Sequence, residues 1–250
     1  MNAPTYVTLS AEVALQRQLE VVANNVANAS TVGFKADRQL FQSYVDQSSG
    51  DGEGTAFVQD RATYIDRTNG PIQPTGNPLD VAIQGDAFLG ITTPQGTFYS
   101  RDGRIHTGTD GTLLDVNGNA VQGSDGQPIQ LPDNYQQVEI KGDGTVTVRV
   151  NNQSQDVGQI GLFKPNDPLL LRKSGNGMLT APPSAMQPLD QGDTSSHLIQ
   201  GSLEGSTVQT VTEIANMTEL SRAYDRLQTL LSDDNDRESK MIDALGHTPS

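Results

Sequence analysis

The chain of 250 residues has no cysteine, no tryptophan, few basic residues and no long apolar run. Zero cysteine excludes disulfide frameworks, thiolate metal sites and thiol nucleophiles. It also fits a setting outside the cytosol, where unpaired thiols are a hazard. Sixteen Lys and Arg against thirty Asp and Glu leave a net charge of −14. That balance argues against nucleic acid as a partner, because neutralising phosphates takes clustered cations. No stretch approaches the ~18 consecutive apolar residues of a transmembrane helix, so no membrane insertion is expected. The opening Met1-Asn2-Ala3-Pro4-Thr5-Tyr6 has neither the basic region nor the apolar region of a cleavable secretory signal. Export, if it occurs, is expected to use another route. The apolar fraction of 34% allows a core, but not one spanning the whole chain.

Glycine and proline are also missing locally. Neither occurs from Thr5 to Ala29 or from Ser206 to Leu245, and nearly all of both lie between. The ends therefore read as helices and the middle as something else. In the first end Leu15, Leu19, Val22 and Val26 recur at 4-3-4 spacing, which puts them on one helical stripe. Asn28-Ala29-Ser30-Thr31-Val32-Gly33 is its expected stop. In the last end Met217, Leu220, Tyr224, Leu227 and Leu231 hold strict 3-4-3-4 spacing, and the frame then meets Asp234 and Glu238. Ser206-Thr207-Val208-Gln209 fits a capping box at its start. This pattern predicts a coiled-coil-like seam.

Between the ends, Asn69-Gly70, Asp102-Gly103, Asp110-Gly111, Asn117-Gly118, Asp125-Gly126 and Asp143-Gly144 read as two-residue turns between short apolar or alternating runs. The expected fold is thus α+β. Long N- and C-terminal α-helices (residues 1–35 and 206–250) pair in a coiled-coil-like domain. Residues 36–75 form a connecting region that contains the Gly/Ser/Asp-rich stretch Gln47–Gly54. Residues 76–205 form a central, mainly antiparallel β domain of short strands. Such a helix pair is expected to be marginal alone and to order when further copies cover its remaining face. An ordinary helical hairpin packed on the β domain is the alternative.

No constellation points to catalysis. His106, His197 and His247 are isolated, with no nucleophile elbow and no HExxH helix around them. Asp115-Val116-Asn117-Gly118-Asn119 begins like a calcium loop but lacks the later glycine and glutamate, so it reads as a hairpin turn. Gly175-Asn176-Gly177 has no strand, lysine or helix start at phosphate-loop spacing and reads as a turn. The Asp233-Asp234-Asn235-Asp236 cluster reads as a solvated helix face. No spacing singles out a carboxylate pair for glycosidase chemistry. The expectation is no enzyme, no cofactor and no metal.

Four ordered motifs carry a resemblance over essentially the whole chain. Val21-Val22-Ala23-Asn24-Asn25-Val26-Ala27-Asn28-Ala29-Ser30-Thr31-Val32-Gly33-Phe34-Lys35 resembles the N-terminal signature of the flagellar rod and hook protein family. Thr75-Gly76-Asn77-Pro78-Leu79-Asp80-Val81 is similar to that family's way into its β domain, and Tyr99-Ser100-Arg101-Asp102-Gly103 to one of its turns. Gln200-Gly201-Ser202-Leu203-Glu204-Gly205-Ser206-Thr207-Val208 resembles its approach to the C-terminal helix, with Thr207 where the family usually has Asn.

The resemblance implies a structural subunit of the proximal rod of the bacterial flagellar basal body. Such a subunit would assemble helically through its terminal helices into a shaft that transmits torque and surrounds the export channel. It implies a place in the periplasm, export by the flagellar type III apparatus, and other rod subunits and self-copies as partners. On this sequence Asn24, Asn25 and Asn28 become polar positions that bond neighbouring helices or end their own. Gly33 becomes a turn and Phe34 an apolar anchor. Leu15, Leu19, Val22 and Val26, with Met217, Leu220, Tyr224, Leu227 and Leu231, become assembly-interface residues, a local core being the other reading. The distal rod protein of the same family stays open as an alternative. From other classes, so do an extracytoplasmic β-rich binding module and, more remotely, a wall glycosidase.

Overall fold

A computed structural model describes residues 3–46, 55–190 and 192–246. The Gln47–Gly54 stretch and His247 lie outside the described residues. The chain divides into two compact units: one comprises 1–27, 37–63 and 209–250, the other 28–36 and 64–208.

The first unit holds helix α1 (Ala3–Ala27), helix α2 (Thr210–Gly246) and the paired strands β1 (Asp37–Asp46) and β2 (Thr55–Ile65), the last two residues of β2 belonging to the second unit. The α+β class holds, but the coiled-coil-like pairing does not. A coiled coil buries each seam residue as a knob in a hole of the facing helix. Here Leu220, Tyr224, Leu227 and Leu231 are only half-buried, and Met217 is 39% exposed. Val211, Ile214, Leu230 and Met241 of α2 are exposed, as are Leu9 and Val13 of α1. What joins the helices at mid-length is polar: the Glu12 carboxylate accepts from the Tyr224 hydroxyl at 3.3 Å and from Gln228 Nε2 at 2.5 Å. A tyrosine in the seam brings a hydroxyl that needs a partner, and the pairing is built around that need.

Helix α2 starts at Thr210, about a turn after Ser206. The Ser206 hydroxyl accepts from the Val208 N–H, and the Thr207 hydroxyl from the Ala36 N–H at 2.9 Å. Both oxygens are used before the helix begins at Thr210.

The second unit is built mainly of short strands, and every described pairing in it is antiparallel. Phe88–Thr93 and Gly96–Ser100 form the centre of its largest sheet. Gln137–Ile140, Thr145–Val150 and Gln153–Gln159 form a second sheet of three strands. Strict alternation in Thr145–Val150 buries Val146 and Val148 and leaves Thr147 and Arg149 outside the core. The main core gathers Val81, Ile83, Leu89, Ile91, Leu113, Val121, Val146, Val148 and Ile160, each at most 1% exposed. Two further two-stranded ladders, Val81–Gln84 with His197–Gln200 and Ile72–Pro74 with Ser202–Glu204, bring the end of the domain back beside its start.

Four of the six Asx-Gly pairs are turns with a positive-φ glycine; at Gly144 φ is +88° and the N–H donates to the Lys141 carbonyl. The other two are not. A Cβ on Gly103 would lie 1.6 Å from the Val81 oxygen, and one on Gly70 would lie 2.1 Å from the Gly205 oxygen. Those glycines permit backbones to touch, which dipeptide identity does not reveal. Conversely Asn151-Asn152, both at positive φ, make a hairpin with no glycine.

Candidate functional site

The chain leaves α1 through Asn28, whose Oδ1 accepts from the Thr31 hydroxyl at 3.2 Å. Gly33 then turns it at φ +67° and donates its N–H to the Glu204 carbonyl at 2.8 Å. A Cβ here would stand 2.4 Å from the Arg101 carbonyl, so both conformation and space require glycine. Phe34 packs with Ala36 and Val208, and the Lys173 ammonium lies 3.9 Å over its ring. Thr207 returns its N–H to the Phe34 carbonyl at 3.1 Å.

The next residue, Lys35, is 3% exposed and enters a buried ion cluster. Its Nζ donates to Glu204 Oε1 and to the Thr68 carbonyl, both at 2.6 Å. The other carboxylate oxygen accepts from Arg101 Nη1 at 3.1 Å, and Oε1 also accepts from the Gly70 N–H at 2.7 Å. Glu204 is 0% and Arg101 2% exposed. Two cations thus share one carboxylate. Carbonyl dipoles take up the remainder: Arg101 donates Nη2 to Gly85 at 2.6 Å and Nη1 to Ile83 at 3.3 Å. Its guanidinium also sits 4.7 Å over the Phe88 ring. Burial, and then the neighbouring Arg101 charge, pull the Lys35 ammonium below its ordinary range, while Glu204 opposes the shift. Burial likewise lowers Arg101, again opposed by Glu204.

Lys35, Arg101 and Glu204 come from three of the segments that carried the family resemblance, and they meet here. The sequence reading named Gly33 and Phe34 as assembly-interface residues and named none of the three charges. The only available signal was that each stands inside a quoted motif.

The other candidate residues lie mainly in the first unit. Asn25 is 1% exposed and clamps the start of β1: its Nδ2 donates to the Asp37 carbonyl at 3.0 Å and its Oδ1 accepts the Asp37 N–H at 2.9 Å. Val22 is buried beside it. Leu15, Leu19 and Val26 are half-buried, Asn24 is exposed, and Asn28, Gly33 and Phe34 belong to the second unit. A groove of about 720 Å³ opens in the first unit, with Val22, Asn25, Arg38, Leu220, Arg222 and Arg226 among its walls. Arg38 pairs at 3.2 Å with Glu213, a carboxylate 3% exposed in the first turn of α2. Apolar strips beside arginines and carboxylates suit a protein surface better than a reaction. In the β unit the Asp115 carboxylate accepts the N–H groups of Asn117 and Asn119, as a turn-closing side chain does.

Comparison with known proteins bears on all three parts of the chain. Residues 6–35 match the family described as Flagella basal body rod protein, 82–148 the Flagellar hook protein FlgE/F/G D1 domain, and 199–244 the Flagellar basal body rod FlgEFG protein C-terminal. Among curated relatives, the flagellar basal-body rod protein FlgF of Mesorhizobium japonicum is 35% identical over 98% of this chain and 99% of its own. FlgF of Caulobacter vibrioides is 32% identical over 98% and 99%. The flagellar basal-body rod protein FlgG of Bacillus subtilis is 33% identical over 84% of this chain and 86% of its own.

Proposed function

The chain belongs to the flagellar basal-body rod protein family and is a structural subunit of the basal-body rod, and from that premise we propose that its place is the proximal rod. The family is not one of enzymes, and no catalytic role is proposed. Assembly runs through the terminal helices, in contacts that repeat along an open helix rather than closing. The interface takes in the exposed or half-buried members of the candidate set: Leu15, Leu19, Asn24, Val26, Met217, Leu220, Leu227 and Leu231. Tyr224 adds its ring, while Val22, Asn25, Asn28, Gly33 and Phe34 shape the helix and the chain's departure from it. Neighbours are self-copies and other rod subunits around the export channel. The shaft crosses the periplasm, and the subunit reaches it through the flagellar type III export apparatus.

The observation that carries this reading is the uncovered apolar side of α2, with Val211 84%, Ile214 50% and Met217 39% exposed in one subunit. A helix that keeps such residues outside its own fold has its burial supplied by other chains. The family resemblance takes FlgF as a proximal and FlgG as a distal rod protein, so the match to FlgF over 98% of the chain favours the proximal position and the match to FlgG keeps the distal rod as the second reading. An in-frame deletion is expected to leave cells without complete flagella, and labelled subunits to map by electron microscopy to the proximal segment. Normal swimming in a verified deletion strain refutes the rod reading, and label confined to the distal segment refutes the position.

A further inference from the structure

Helix α2 carries its charge in blocks. With about 100° per residue, Arg222, Arg226, Asp233 and Asp236 fall within a stripe roughly 80° wide on one face. All four side chains are exposed, and among the described residues none of the four has an ion-pair partner. Asp234 is taken by Arg237, which Asp233 also favours more weakly. Lys240 continues the stripe beyond the acidic block. Two unpaired arginines side by side are notable in a chain with only sixteen basic residues and a charge of −14. They also flank the 720 Å³ groove, next to half-buried Leu220 and Ala223.

We propose that the acidic block Asp233/Asp236 of one copy docks on Arg222/Arg226 of a second copy, in a parallel, staggered, head-to-tail contact. The occupant follows from charge: the arginines meet a carboxylate block with the same one-turn spacing, and this chain supplies one on the same helix face. The blocks lie ten to eleven residues apart, so at 1.5 Å per residue the stagger is about 15–17 Å. Such a contact uses different patches on the two copies, so it is heterologous and does not close by two-fold symmetry. This inference rests on the rod-subunit reading and names the register between its copies.

The test uses the full-length chain and two charge reversals, R222E/R226E and D233K/D236K, with helix content checked by circular dichroism. Sedimentation velocity at low salt reads the association. The wild type is expected to form a series of oligomers that dissolves as ionic strength rises and the Debye length shrinks. Each reversal alone is expected to weaken association by about tenfold or more. An equimolar mixture of the two variants is expected to recover it, because each supplies the charge the other has lost.

Recovery in the mixture cannot come from a purely internal structural role. Wild-type chain that stays monomeric at every concentration overturns the second copy as occupant. Association that stops at a dimer overturns the head-to-tail geometry. Unchanged association in either variant, or no recovery in a mixture of helical variants, overturns the charge register. None of these outcomes touches the rod reading, which the deletion strain tests separately.

Discussion

Substituting Glu204 by glutamine keeps shape and removes one charge, which makes the cost of the buried cluster readable. The carboxylate is fully buried and accepts from Lys35, Arg101 and the Gly70 N–H. An amide can still accept from Gly70, but its NH₂ must then face a cation that has nothing to accept with. Both Lys35 and Arg101 lose the carboxylate they share. Breaking a buried pair from one side costs about 3–5 kcal/mol, because the partner stays buried and uncompensated. For a unit on the order of 150 residues each kcal/mol moves Tm by about 2–4 °C. E204Q is therefore expected to lower the β unit's midpoint by roughly 6–20 °C. Urea unfolding followed by circular dichroism should show the same loss with an unchanged slope. Because two cations share one carboxylate, K35M should behave differently. It leaves Arg101 and Glu204 as a one-to-one pair and removes a desolvated ammonium, so its expected cost is below about 1.5 kcal/mol. A loss under about 1 kcal/mol for E204Q, or a K35M loss equal to that of E204Q, would refute the reasoning.

Alkaline pH provides a second test of the same cluster. Lys35 is held below the 10.5 of a free lysine, chiefly by burial. Between its folded value and 10.5 the unfolded chain therefore binds more protons, so stability should rise with pH across that window. The urea midpoint of wild type, compared with K35M as pH approaches 10.5, should show a rise that the variant lacks. G33A places a Cβ at φ +67° and 2.4 Å from the Arg101 carbonyl, and should cost about 2 kcal/mol or more in the same assay. I214D/M217D alters residues 50% and 39% exposed. Its folding should stay within about 0.5 kcal/mol of wild type, while complementation of the deletion strain for swimming should fail. Full motility would count against α2 as an assembly surface.

What could be read in advance followed the range of the interaction. The two helices were legible because the absence of glycine and proline, and the 3–4 spacing of Leu220, Tyr224, Leu227 and Leu231, are local facts. Their partner was not. A 3-4-3-4 frame states which residues share a face, but whether that face is buried depends on what stands opposite. Opposite Tyr224 stands Glu12, a carboxylate. The hairpins at Gly111, Gly118, Gly126 and Gly144 were legible because a positive φ is a property of one residue. Gly70 and Gly103 were misread because a close approach belongs to two segments, the second of them the chain at Gly205 and at Val81.

The ion cluster shows the same rule at its limit. Lys35, Arg101 and Glu204 are separated by 66 and 103 positions, and as single residues each reads as ordinary surface charge. Their burial becomes sensible only when three chain segments close together: the exit from α1, the strand end at Ser100 and the ladder Ser202–Glu204. An apolar trio of equal volume would often hold as well or better, so adhesion alone does not account for charge here. What charge adds is intolerance of error, since displacing any one segment strands an ion away from water. The Gly33 turn is fitted against the Arg101 backbone at the same point. Residues 28–36 are thus held within the β unit by groups that cannot slip in register without an unpaired buried charge. A segment held in this way comes loose only at high cost, a property distinct from a slightly larger overall stability.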